Sequence, residues 1–136
     1  MNIYRKLVFS NPVAGREAEY NDWYDNIHSR EAIRDVPGVI AVQRFRLVRS
    51  GTRQARDLPM RSYLAIWEVE ADNPETAADA FAKAKAEGLI QADETFDLTS
   101  VLSGYFEALG PRITATSGFR EREVSSIPGT GEGNEA

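Results

Sequence analysis

The chain has 136 residues, a formal net charge of −5 and no cysteine. Its negative charge argues against nucleic acid as a partner, because nucleic-acid binding requires a basic surface. The absence of thiols excludes disulfides, thiolate metal sites and thiol catalysis. No apolar run approaches the roughly 20 residues of a membrane helix, and residues 1–12 lack the features of a signal peptide. We therefore expect a cytoplasmic protein with no membrane partner.

The first part of the chain predicts a strand followed by a helix. Residues 3–10 form a short apolar, β-prone run bounded by turn-forming residues. From Arg16 onward, apolar residues recur at i, i+3, i+4 and i+7, which is typical of an amphipathic helix. The helix must end before Pro37, because the residue preceding a proline is biased away from helical geometry. Ser29 could serve as an N-cap, so we expect a break just after His28.

The middle of the chain predicts three further strands and a second helix. Residues 38–49 and 60–71 are rich in β-branched and aromatic side chains and predict the second and third strands. A polar loop, 50–59, separates them. The second helix begins after Asn73, an N-cap followed by proline, and ends before Gly88. Residues 99–110 predict the fourth strand.

The chain divides into a domain over 1–114 and a C-terminal tail over 115–136. The tail contains few core-forming residues and many small and acidic ones. Such a composition cannot bury enough apolar surface to offset the entropy lost on ordering, so we expect part of the tail to be disordered. Its glycine-rich stretch at 129–133 follows no strand and opens no helix, which argues against a phosphate-binding loop.

The predicted order of strand, helix, strand, strand, helix, strand is typical of a ferredoxin-like α+β fold. This βαββαβ arrangement has an antiparallel four-stranded sheet with both helices on one face. In the third strand, however, Tyr63 and Trp67 alternate with the equally apolar Leu64 and Ile66. A solvated sheet face would carry polar side chains instead. We therefore expect a second copy of the chain to cover this face, forming a homodimer whose two sheets build a barrel.

Three segments carry a resemblance to a known family: WYDNIH at 23–28, VPGVIAVQRF at 36–45 and SYLAIWEVE at 62–70. With the element order, they resemble the dimeric α+β barrel superfamily, and in particular its EthD-like branch, over residues 3–110. The superfamily includes polyketide cyclases, dehydratases, lactone isomerases, cofactor-free monooxygenases and haem enzymes. In the EthD-like and cyclase branches, a histidine late in the first helix commonly faces the barrel cavity. The resemblance implies this position for His28.

His28, the only histidine of the chain, is the first candidate for a catalytic residue. Asp25 and Tyr24 precede it by three and four positions, so in an α-helix either side chain can contact it. A carboxylate beside an imidazole fixes its tautomer and raises its basicity, as a general base requires. We therefore predict a catalytic set of His28, Asp25 and Tyr24. The alternative is that His28 borders the core and Asp25 faces solvent.

The candidate substrate-binding residues are Arg44, Tyr63, Trp67 and Phe106. A charge in the middle of a strand is costly without a partner. Arg44 therefore either faces the cavity and holds an anionic group, or lies near the rim and pairs with Glu68 or Glu70. Tyr63 and Trp67 share a parity and line the same face of the sheet. Which parity faces the barrel interior stays open, because a one-residue shift in register exchanges the two faces.

These residues and the resemblance favour a cofactor-independent lyase or isomerase, of the dehydratase or cyclase kind, acting on a small aromatic or polyketide-like molecule. His28 would move a proton next to a carbonyl or phenol, Asp25 would orient His28, and Tyr24 or Arg44 would stabilise the developing oxyanion. We expect no metal, because a single histidine would need carboxylates at a spacing that the sequence lacks.

Two alternatives keep the same fold. The first is a monooxygenase, either cofactor-free or with His28 as the axial ligand of a haem. The second is a non-catalytic protein that binds a small molecule.

Overall fold

A computed structural model describes residues 1–51 and 61–117. These residues belong to two compact units, one built from 1–47 and 61–107, the other including 48–51 and 108–117. The first unit contains all the strands and longer helices described below: β1 (Asn2–Pro12), α1 (Glu17–Trp23), a π-helical turn (Tyr24–His28), α2 (Ser29–Asp35), β2 (Val39–Arg46), β3 (Tyr63–Ala71), α3 (Pro74–Ala86) and β4 (Phe96–Glu107). In the second unit, Ala115–Ser117 form a 3₁₀ turn. Most of the predicted polar loop and the tail beyond Ser117 lie outside the described residues.

The four strands form one sheet in the order β2-β3-β1-β4, and every neighbouring pair is antiparallel. Trp67 of β3 contacts both helical segments of this unit. Its ring centroid lies 5.6 Å from that of His28, between α1 and α2, and 5.8 Å from that of Phe81 in α3. Both segments therefore cover the same face of the sheet. This arrangement confirms the predicted ferredoxin-like α+β fold. None of the described helices has the length and apolar character needed to cross a bilayer.

The helix-covered face holds the core. Along β3, alternate residues are buried: Tyr63, Ala65, Trp67, Val69 and Ala71. Tyr4 and Val8 of β1 lie on this same face. Because strand side chains alternate, the register assigns the intervening residues to the other side. The structure thus shows which parity faces the helices, whereas the parity that faces a barrel interior depends on the proposed dimer.

The second face of the sheet, which we call the open face, is apolar around its centre and charged at the end that carries Arg5 and Glu68. At its centre Phe9 pairs with Leu64 on one side and Leu102 on the other. Its apolar members include Leu7, Phe9, Phe45, Leu64, Ile66 and Leu102. Phe45 and Leu102 are exposed, and no helix of this unit covers them. The apolar character predicted at both parities is confirmed, whereas the homodimer remains a proposal.

The segment between β1 and β2 is one continuous helical path with a π turn in its middle. The backbone N–H of Ser29 donates to the carbonyl of Tyr24, five residues earlier, which is the π-helical pattern. His28 and Ser29 both have α-helical backbone angles, and the Ser29 side chain caps nothing. The predicted Ser29 cap is therefore wrong, although the helix changes type at the predicted place, where the π turn ends at His28 and α2 begins at Ser29. The chain accommodates one extra residue in this turn and then continues as α2.

The second predicted helix has the expected signals at both ends. The Asn73 side chain accepts a hydrogen bond from the backbone N–H of Thr76 at 2.8 Å, and Pro74 is the first helical residue. Gly88 follows the helix with a φ of +76°, a conformation that glycine adopts without steric cost. Both predicted ends are confirmed. β4 begins at Phe96, three residues before the predicted start.

Candidate functional site

A cavity of about 370 Å³ lies between the helical layers and the sheet of the first unit. Its walls are mainly aromatic and aliphatic and include Val8, Trp23, Trp67, Phe81, Ile90 and Phe96. The polar groups on its walls include Lys6, Tyr24, His28, Lys85, Gln91 and Tyr105. This size and composition are typical of a small-molecule site, which is mostly apolar with a few polar groups.

His28 lies at the end of the π turn, where three aromatic rings surround it. Its ring stacks on Trp23, with centroids 4.8 Å apart and an angle of 17° between the planes. Tyr24 and Trp67 approach edge-on, at 5.1 and 5.6 Å. The Nδ1 atom is buried and has no hydrogen-bond partner. A buried nitrogen without a partner is energetically costly, so a ligand that hydrogen-bonds to it would gain that interaction.

Burial controls the protonation of His28. The pKa of the imidazole is lowered to about 4, first by burial and then by the positive charges of Lys6 and Arg44. The side chain is therefore uncharged at neutral pH. An uncharged imidazole can accept a proton from a ligand.

Lys6 is the charged group on the β1 wall of the cavity. It faces the helices from the middle of the strand, paired in register with Trp67 on β3 and Tyr105 on β4. Its Nζ lies 3.7 Å from the centroid of the Phe81 ring and 5.7 Å from that of Tyr105. Burial lowers the pKa of Lys6 to about 8, and the charge of Lys85 contributes. At neutral pH the Lys6 amine is still mostly protonated, so the side chain carries a positive charge.

The structure does not bring the predicted pair of Asp25 and His28 together. Asp25 accepts a hydrogen bond from Nη1 of Arg44 at 2.8 Å instead, and its side chain is 57% exposed. The expectation of contact assumed α-helical spacing, whereas the π turn adds a residue and rotates His28 relative to Asp25. Tyr24 keeps its predicted contact with His28.

Arg44 lies on the helix-covered face but does not line the cavity with His28. Its side chain is only 12% exposed. Nη2 donates to Asn21 at 2.8 Å, and the guanidinium carbon lies 4.3 Å from the centroid of the Tyr24 ring. Neither predicted alternative, an anion in the cavity or an ion pair with Glu68 or Glu70, describes these contacts. Arg44 instead connects β2 to α1 and the π turn.

The other predicted binding residues separate into three places. Trp67 lines the cavity. The Tyr63 hydroxyl donates to the Glu17 carboxylate and accepts from Asn21 at 3.0 Å, so Tyr63 belongs to the polar cluster around Arg44. Phe106 is 55% exposed, and its neighbour Tyr105 lines the cavity from the opposite side of β4. Phe106 therefore belongs to the open face.

Lys6, Phe81, Lys85 and Tyr105 line the cavity and are absent from the predicted site. The sequence contains one signal for Lys6, since it shares the parity of Tyr4 and Val8 in β1. A lysine at the buried parity of a strand requires an explanation. The sequence alone does not predict its role, because mid-strand lysines usually mark a solvated face.

Cofactor chemistry has little structural support at His28. Within residues 1–51 and 61–117, no three histidine, aspartate or glutamate side chains cluster closely enough to hold a metal ion. A haem ligand must present a ring nitrogen to an open space. The rings of Trp23, Tyr24 and Trp67 crowd His28 and leave no room beside it for a flat macrocycle, whereas a small ligand group needs far less space. These residues therefore do not fit a haem, and we derive no step through one.

The fold and the cavity define the class of this chain as a ferredoxin-like α+β protein with a cavity under its helices. No protein-family model and no curated protein matches the sequence. Among solved structures, the chain is similar to an ethyl tert-butyl ether D (EthD) family protein from Bacillus halodurans C-125, at 16% sequence identity. The similarity covers 80% of this chain and 100% of that chain, with a TM-score of 0.49.

Proposed function

We propose that the protein is an enzyme that moves a proton on a small aromatic or polyketide-like molecule, as a lyase or isomerase of the dehydratase or cyclase kind. One observation carries the proposal: His28, uncharged at neutral pH and with a buried Nδ1 that lacks a partner, lines an aromatic cavity. An imidazole in this state is ready to accept a proton. The aromatic walls favour a flat, apolar substrate.

In this proposal His28 removes a proton next to a carbonyl or phenol. Of the two groups expected to stabilise the resulting oxyanion, Tyr24 lines the cavity and Arg44 does not. Burial raises the pKa of Tyr24, so its hydroxyl stays protonated and can donate a hydrogen bond to the oxyanion.

The lowered pKa of His28 restricts the substrate. A weak base removes protons efficiently only from fairly acidic positions, since proton transfer follows the difference between the two pKa values. A carbon between two carbonyl groups, or a phenol, meets this requirement. An isolated ketone does not.

A non-catalytic binding protein is the second candidate, and the surroundings of His28 favour it. No carboxylate contacts the imidazole among the described residues, and its pKa lies well below the value of a typical general base. A protein that only binds its ligand needs the cavity but not a tuned histidine.

Solvent-deuterium exchange distinguishes the two candidates. In mildly acidic D₂O, the native protein should accelerate exchange at the central carbon of 1-phenylbutane-1,3-dione, measured by proton NMR. His28→Ala should lower the enzymatic rate by about 10²–10⁴-fold. Binding of the dione without accelerated exchange would favour the binding protein. A haem absorption band in the purified protein would instead favour the haem alternative.

Asp25→Asn serves as the matched variant in this assay. It neutralises the carboxylate that the sequence placed beside His28, whereas the structure pairs that carboxylate with Arg44. We expect the exchange rate per folded molecule to be retained. A loss as large as that of His28→Ala would restore Asp25 to the orienting role.

A further inference from the structure

We propose that the cavity selects an aromatic ligand that carries an anionic group, and that the ammonium of Lys6 binds this group. The inference deepens the proposed function, since it names a feature of the substrate at the same site. It depends on that function only for the location of the site, because it concerns binding and not proton transfer.

The charges on the cavity walls have one sign. In the part of the chain that the structure describes, the lining includes Lys6 and Lys85 but no aspartate or glutamate. His28 is uncharged at neutral pH and adds no charge of either sign. A cavity with this lining attracts an anion and disfavours a cation.

Lys6 is the more deeply placed of the two lysines and lacks a counter-charge. Among the described residues, no carboxylate oxygen lies within 4 Å of its Nζ. The Phe81 ring, 3.7 Å away, attracts the ammonium but does not neutralise it. A partly buried charge without a counter-ion is costly, and an anionic ligand would remove that cost on binding. Lys85 is exposed and remains solvated.

The rest of the cavity fits the remainder of such a ligand. Trp23 and Trp67 contribute aromatic walls on the helical and sheet sides. His28, between these rings, provides the unpartnered Nδ1. Together the walls predict one aromatic ring with its acidic group placed toward β1.

The test compares an aromatic acid with its neutral amide: 3-phenylpropanoate and 3-phenylpropanamide. The chain has two tryptophans, and both line the cavity, so tryptophan fluorescence reports binding directly. The native protein should bind the acid at least tenfold more tightly than the amide. Lys6→Met should reduce this ratio to near one, whereas Lys83→Met, a change to an exposed lysine of α3 outside the cavity, should leave it unchanged.

The melting temperature of Lys6→Met separates a binding role from a structural one. Methionine fills an apolar site and removes a charge that burial penalises, so the variant should melt at the same temperature as the native protein or higher. Equal affinity of the native protein for acid and amide, no binding of either probe, or an unchanged ratio in Lys6→Met would each overturn the inference. Failure of deuterium exchange at His28 would not, because that assay measures proton transfer.

Discussion

At the scale of single residues, the proposed role of His28 as a base predicts how the exchange rate depends on pH. Because burial lowers its pKa to about 4, the imidazole is uncharged throughout the range from pH 7 down to about 5. An exposed histidine, with a pKa near 6.5, would be half protonated at its pKa and almost fully protonated at the lower end of this range.

We therefore expect the exchange rate to stay level as the pH falls from 7 and to decline only as the pH approaches 4, where protonation removes the base. The measurement is the rate of deuterium exchange against pH. Lys6→Met should move the decline to higher pH, because the charge of Lys6 is the second cause of the lowered pKa. A decline centred near 6.5 would show that His28 is solvated.

The same shift has a consequence for stability. The folded-state pKa of His28 lies below its unfolded value, so between about pH 6.5 and 4 the unfolded chain binds more protons. The contribution of His28 to stability is therefore complete above the unfolded pKa and is lost as the pH falls through the folded one. Stability should therefore begin to fall below about pH 6.5, whereas the exchange rate should stay level until the pH approaches 4.

At the scale of elements, Arg44 connects β2 to the helical layer. Its hydrogen bonds to Asp25 and Asn21 and its position 4.3 Å from the Tyr24 ring explain why a guanidinium is tolerated inside the fold. Charge-assisted hydrogen bonds are among the stronger ones in proteins.

Arg44→Ala should lower the free energy of unfolding by about 2–3 kcal/mol, since it removes two hydrogen bonds from a mostly buried charge. Urea unfolding measures this change. The matched control is Arg34→Ala, which removes an exposed ion pair with Asp35 and should cost about 0.5 kcal/mol or less. If Arg44→Ala left stability unchanged but weakened the binding of 3-phenylpropanoate, Arg44 would belong to the ligand site and not to the connection between β2 and the helices.

The elements also show which parts of the structure sequence patterns can predict. Local signals such as the Asn73 cap and Gly88 depend on neighbouring residues only, so they locate α3 correctly. The π turn is different, because no residue type marks it and the pairing of Asp25 with His28 assumed regular α-helical spacing. The position of Lys6 on the cavity wall is hard to predict for a related reason: its burial depends on the register between β1, β3 and β4, which is a long-range property.

At the scale of the whole molecule, the open face predicts association. Phe9, Leu64 and Leu102 are adjacent in register at its centre, and apolar patches of this kind mark interaction surfaces. We propose that two copies of the chain pair through these faces. A stable interface of this type would bury on the order of 1,600 Å² in total.

Light scattering at micromolar concentration should therefore give the mass of a dimer. Leu64→Lys should produce a folded monomer, because it places charges at the centre of the interface. Ile33→Lys is the control, since Ile33 is an exposed apolar residue of α2 and should leave the dimer intact. A monomeric native protein would contradict the barrel.

The π turn has an evolutionary consequence. A π turn contains one residue more than the α-helical turn it replaces, so it can arise or vanish through insertion or deletion of a single codon. A relative without that codon would continue as a regular α-helix and would present a different side chain at the position of His28. When homologous genes are compared, a one-residue gap between Tyr24 and His28 would therefore distinguish lineages that have this site from lineages that share only the fold.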